Sequence, residues 1–169
     1  MSEAETMTPP VHIQQSIRQS VADYGCAVLH DSDPAVPERH ISLSVGFESN
    51  AGQPEVVIYG LADDLARSMI NEVFRQCKEE GLELTDGQVV GNLIEGYDCM
   101  IRRIDNPHAY RTHFGLAAWY LHETEERRLD RAVQIVWPDP KSRCYPWQDE
   151  CADDVILWQT ALYPLGAPK

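Results

Sequence analysis

The stretch Ile41-Ser-Leu-Ser-Val-Gly-Phe-Glu-Ser-Asn-Ala-Gly-Gln-Pro-Glu-Val-Val-Ile-Tyr-Gly-Leu61 decides how this chain folds. In its first third Ile41, Leu43, Val45 and Phe47 alternate with Ser42, Ser44 and Gly46, the two-residue period of a strand with one face against a core. Glu48 to Glu55 then supplies turn residues, with Pro54 where a strand can begin without a donor. Val56-Val-Ile-Tyr59 is continuously apolar and β-branched, which predicts a central strand covered on both sides. Gly60 releases the backbone, and Asp63 and Asp64 fall in the first turn of a helix, where carboxylates meet the positive end of the dipole. The same acids would compete with a phosphate, so no phosphate site is expected at this turn.

Toward the N-terminus, Pro9 and Pro10 precede Val11 to Tyr24, in which Ile13, Ile17, Val21 and Tyr24 recur at helical spacing. Gly25 stops that helix, and Cys26-Ala-Val-Leu-His30 reads as a short strand. Asp31 to Arg39, with prolines at 34 and 37, is a loop and a candidate binding edge. Toward the C-terminus, Leu65, Met69, Val73 and Cys77, broadened by Ile70 and Phe74, predict an amphipathic helix over 62–80, closed by Gly81. Residues 82–96 carry turn pairs around Val89-Val90 and read as a short strand or an irregular loop. Tyr97 to Ile104 alternates as a strand, and Asn106-Pro107 is a cap-then-N1 start for one helix reaching about His122. A charged turn over 123–131 leads to the strand Ala132 to Trp137, and the tail is expected to pack across the sheet.

The early links are too short for the crossovers of a parallel sheet, so the expectation is an α+β fold. It would have a mainly antiparallel sheet with about three helices against it. A mobile acidic segment over 1–10 would precede one domain over 11–169.

At 169 residues one domain buries roughly 70% of its unfolded surface. Five scattered cysteines without a CxxC pair indicate neither a disulfide framework nor a zinc ribbon. With an acidic, polar start and no apolar run near the length of about eighteen needed for a span, a cytoplasmic protein is expected. The net charge of −13 repels nucleic acid and anionic membrane and favours a basic protein as partner. Neither GxGxxG, GxxxxGK[ST] nor GxSxG occurs, so no cofactor is expected and no nucleophile stands out.

Only residues 102–143 carry a positive balance, eight bases against six acids. There Arg102, Arg103, His108, Arg111 and His113 surround a helix start and form a candidate anion or ligand site. The competing account is ordinary pairing of these cations with the surplus acids. His108, His113 and His122 lack the i, i+4 spacing of a helical metal site, so no metal is expected. A partner-binding set is read from the loop acids Asp31, Asp33 and Glu38 together with Trp147, Asp149 and Glu150, since exposed aromatic residues beside charge are typical interface anchors.

Several phrases also carry a resemblance. Cys26-Ala-Val-Leu-His30 after Gly25, Leu43-Ser-Val-Gly-Phe47, Gly52-Gln-Pro-Glu-Val-Val-Ile-Tyr-Gly-Leu61, Gln134-Ile-Val-Trp-Pro-Asp139 and Tyr145-Pro-Trp-Gln148 together resemble a bacterial family of domains of unknown function, family 4262. The likeness spans roughly residues 12–150 and implies no activity. Members typically carry Tyr-Thr-Val-Gly-Leu in the strand and Gly-His-Pro-Glu in the turn; here Leu43 and Gln53 replace the Tyr and the His.

Two functions follow from this reading. The first is a non-catalytic binding or regulatory module that neutralises a basic protein such as a toxin or nuclease. The alternative is a flavin-barrel-like domain that uses Arg102, Arg103, Arg111 and His113 for an anionic ligand.

Overall fold

The computed structural model describes residues 8–31, 33, 35, 36 and 39–169. Glu38 and the first seven residues of the expected acidic segment lie outside them. A six-stranded sheet runs in the order β1-β2-β3-β6-β5-β4. Its strands are β1 (Ala27–Asp31), β2 (Ile41–Val45), β3 (Glu55–Tyr59), β4 (Val89–Ile94), β5 (Tyr97–Ile104) and β6 (Ala132–Val136). All neighbours are antiparallel except β3 and β6, which run parallel. The sheet is therefore mixed and mostly antiparallel, within an α+β domain.

Among the described residues six helices pack on it rather than about three: α1 (Val11–Tyr24), α2 (Phe47–Ala51), α3 (Asp63–Glu79), α4 (Pro107–His113), α5 (Gly115–Glu125) and α6 (Asp153–Trp158). The extra ones have local causes. The strand-to-strand link contains α2, because Gly46 adopts φ 103° and turns the chain into a helix at Phe47. The helix expected from Pro107 to His122 breaks at Phe114, whose φ −107° and ψ 21° are not helical. Across that break Phe114, Ala117 and Leu121 are all buried.

Both faces of the sheet are covered. On one, Ala66, Met69, Ile70, Val73 and Phe74 of α3 pack on Val56, Ile58, Ile101, Val133 and Ile135. On the other, Ile17 of α1, Ala109 of α4, Phe114 at the break, and Ala117 and Leu121 of α5 pack on Val57, Tyr59, Ile104 and Ala132. β3 is buried at all five positions, as its run of apolar residues requires. β2 departs from the expected one-sided strand: Ser42 and Ser44 are each 1% exposed. A hydroxyl shut from water must be bonded, and each finds a partner: Ser42 meets His30, and Ser44 donates to Glu55.

Register fixes which residues share an end of the sheet. Asp31 lies opposite Ile41, and Ile41 opposite Tyr59. β6 runs with β3 from Ala132 opposite Glu55. Asp31, His40, Tyr59 and Trp137 therefore gather at one end, with the starts of α3 and α6. At the other end lie α2, Glu55 and the 126–131 turn.

Candidate functional site

Ligands in open α/β sheets sit in the crevice beyond the carboxyl ends of parallel strands. The β3/β6 pair makes that crevice, and the chain fills it. Gly60 (φ 81°) sits so close to α6 that a Cβ there would lie 2.6 Å from the Trp158 carbonyl. Trp137 Nε1 donates to the Tyr59 carbonyl at 2.8 Å. Gln159, 2% exposed, accepts from the Trp137 amide and donates to its carbonyl. From there the C-terminal strap runs onto the second face, where Gln134 donates to the Thr160 carbonyl and accepts from the Leu162 amide.

The strap also explains Arg102. Its side chain is 3% exposed, with Nε on Asp86 at 3.1 Å. Its other nitrogens donate to the Gly166 and Pro164 carbonyls. Trp147 and Tyr163 lie across it at 4.6 and 4.5 Å. Arg102 is thus a fastener for the tail, and Trp147, half-buried against it and stacked on Tyr145, is part of the same clasp.

The fold does not gather the five basic residues of the expected anion site. Arg103, next along the strand, is exposed, as are His108 and Arg111 on α4. His113 turns inward to place Nε2 3.1 Å from the Tyr59 hydroxyl. Burial lowers its pKa against the opposing field of Asp31.

The acids fare differently. Asp31 and Asp33 line an open depression with Arg39 and Ile41. Beyond β6, Asp139 accepts from the amides of Lys141 and Ala152, donors that hold its carboxyl below the usual range and seat the start of α6. Asp149, Glu150, Asp153 and Asp154 then stand exposed, and among the described residues none is in an ion pair. Beside them Ile156 and Leu157 are 41% and 64% exposed.

One cluster lies outside every sequence expectation. His30 Nδ1 is 2.7 Å from Ser42 Oγ and 3.6 Å from Asp63 Oδ1, and His40 Nδ1 is 3.7 Å from the same oxygen. These are the residue types of a hydrolytic triad in the wrong geometry. Serine and aspartate address the same ring nitrogen, whereas a triad needs them on opposite nitrogens. Nothing in the sequence pointed to it, because the alternation at Ser42 and Ser44 predicts a strand with one wet face.

Burial pushes the thiols of Cys26 and Cys99 up to about 12 and those of Cys77 and Cys151 to about 11, which disfavours the nucleophilic thiolate. Among the described residues no group of three His, Cys, Asp or Glu is placed to hold a metal ion, and no helix is long and apolar enough to cross a membrane. Residues 20–152 match the family described as domain of unknown function (DUF4262). No curated protein matches the chain, and no solved structure does.

Proposed function

Because this chain belongs to the domain of unknown function family 4262, whose description carries no activity, we propose from its own surface that it is a non-catalytic binding module for a basic protein. The acidic end of the sheet is the docking face. The observation that carries the reading is the pair Ile156 and Leu157, exposed on α6 amid four carboxylates that no cation of the described residues neutralises. Exposed apolar side chains supply about 1.5–3 kcal/mol each when fully buried. Unpaired like charges around them speed and select an oppositely charged partner. The plugged crevice and the raised thiols support a binding role over a catalytic one.

The test is affinity capture on the full chain from lysate of its native cells, at low and at high salt. It runs beside the variant D149N/E150Q/D153N/D154N and beside Leu157→Ser. A basic protein held by the parent at low salt, and bound roughly tenfold more weakly by each variant on direct titration, is the expected result. Indistinguishable retention by parent and variants, or capture only of neutral and acidic proteins, removes the proposal.

A further inference from the structure

Two polar side chains stand in the middle of the sheet where an apolar pair would be expected. Arg102 of β5 and Gln134 of β6 lie opposite each other in register, 2% and 0% exposed. Two residues along the same face, the opposite pair Ile104 and Ala132 packs against the core residues of α4 and α5. Over Arg102 and Gln134 the cover is the tail instead, and it is held by its backbone. Gln134 donates to the Thr160 carbonyl and accepts from the Leu162 amide, both at 3.0 Å. Arg102 donates to the Pro164 carbonyl at 3.3 Å and to the Gly166 carbonyl at 2.7 Å.

The stretch 160–166 forms neither helix nor strand, and Tyr163 is its one buried residue. The Tyr163 ring lies 4.5 Å from the Arg102 guanidinium and edge-on to Trp147 at 5.8 Å. Burying a guanidinium and an amide costs more than burying an apolar pair, unless each polar group finds a partner. A segment needed only as cover would sit on apolar residues, as α4 and α5 do. An amide that bonds one carbonyl and one N–H of a passing chain reads extended backbone, and a slot between Arg102 and Trp147 reads one aromatic side chain. Arg102, Gln134 and Trp147 fall within the residues that match the family, and the tail falls beyond them.

We propose that Arg102, Gln134 and Trp147 form a peptide-binding site for an extended segment of another protein carrying an aromatic residue followed by proline, and that residues 160–166 occupy it as the chain's own inhibitor. Gln134 and Arg102 hold the backbone of whichever segment is seated, and the aromatic slot selects it. Pro164 fixes φ after the anchor and so lowers the cost of holding the segment extended. The tethered tail acts at the high effective concentration of a short linker, so a partner's segment enters only where it displaces Tyr163. This site does not rest on the docking role proposed for the acids around α6.

The probe is a fluorescein-labelled peptide of residues 160–169, titrated by anisotropy into the full-length parent and into full-length Tyr163→Ala, whose own tail has lost its anchor. Binding to Tyr163→Ala roughly tenfold or more tighter than to the parent is expected. The same peptide with Tyr163→Ala, equal in charge, is expected to bind that variant roughly tenfold or more weaker. No binding, or a smaller difference in either comparison, overturns the proposal; equal binding of the two peptides would be mere attraction of a basic peptide to an acidic chain. If Tyr163→Ala does not fold, hydrogen exchange on the isotopically labelled parent decides. Exchange of the Leu162 amide that quickens about twofold or more in excess peptide, while the β6 amides hold, supports the proposal. A smaller change, or one shared by β6, overturns it.

Discussion

The two ends of the sheet spend their carboxylates in opposite ways. At the closed end Glu55, 1% exposed, sits at the start of α2. It accepts from the Ser44 hydroxyl and from the amides of Gly46, Phe47 and Glu48. Beside it Glu48, its side chain 2% exposed, is clamped by Arg131 at 2.6 Å and reached by Arg127 at 3.4 Å. At the open end Asp149, Glu150, Asp153 and Asp154 face solvent with no cation of the described residues paired to them. One end uses acid to build the fold, and the other leaves it available to a partner. A single chemical group can thus be structural or functional according to the donors the fold turns toward it.

The largest effect expected from this contrast is at Glu55. Glu55→Ala orphans four buried donors at about 1–3 kcal/mol each, partly relaxed, so a loss on the order of 4 kcal/mol in urea unfolding is expected. A loss under about 1 kcal/mol would mean that α2 reorganises and that the closed end is no framework. Next comes Arg131→Ala. It leaves Glu48 buried with only the more distant Arg127, and because Arg131 itself is half-exposed the expected loss is about 2 kcal/mol.

How much of this was legible is best judged residue by residue. Val56-Val-Ile-Tyr59 announced a central strand, because a continuous β-branched run has no solvent face to offer. Asp63 and Asp64 were readable as first-turn acids. Ser42 and Ser44 misled: alternation normally marks a wet face, and here a roof of α3 makes that face dry, so the hydroxyls become partners for His30 and Glu55. Arg102 was illegible as a buried residue because its roof, the strap around Tyr163 to Gly166, arrives more than sixty positions later in the chain. The acids Asp149 and Glu150 were read as exposed and are exposed, since a loop segment rich in charge carries its own environment with it.

The ends also respond to pH with opposite signs. Burial, against the Ser44 and amide donors, pushes the Glu55 pKa up to about 7 from 4.5. Between those values the folded state binds more protons than the unfolded one. Stability from this group is therefore present at acid pH and lost as pH rises toward 7, on the order of 3 kcal/mol in all. His30, with its pKa lowered from 6.5, contributes stability that is lost as pH falls below 6.5. Glu55→Gln is expected to flatten the first limb in chemical unfolding followed from about pH 4.5 to 7.5. A parent curve that rises with pH throughout that window would contradict the burial argument for Glu55. The global curve near pH 6 is the sum of two opposed slopes, so the His30 limb is visible only to residue-resolved exchange.

The smallest effect is expected where the same carboxylates are most numerous. Asp153 and Asp154 occupy the first turn of α6, and Asp154 accepts from the Val155 amide at 2.9 Å, so Asp153→Asn with Asp154→Asn forfeits a few tenths of a kcal/mol of cap and dipole energy. It also relieves repulsion from Asp149 and Glu150 across a surface where no cation of the described residues pairs with them. The two contributions oppose each other, and the net change is expected within about 0.5 kcal/mol. Salt separates them, because repulsion among exposed charges fades within a Debye length of about 8 Å at physiological ionic strength. The double variant should therefore gain on the parent at low salt and lose that gain as salt is added. A loss above about 1 kcal/mol at every ionic strength would show these acids holding α6 in place. The open end would then be a second framework rather than a surface kept for binding.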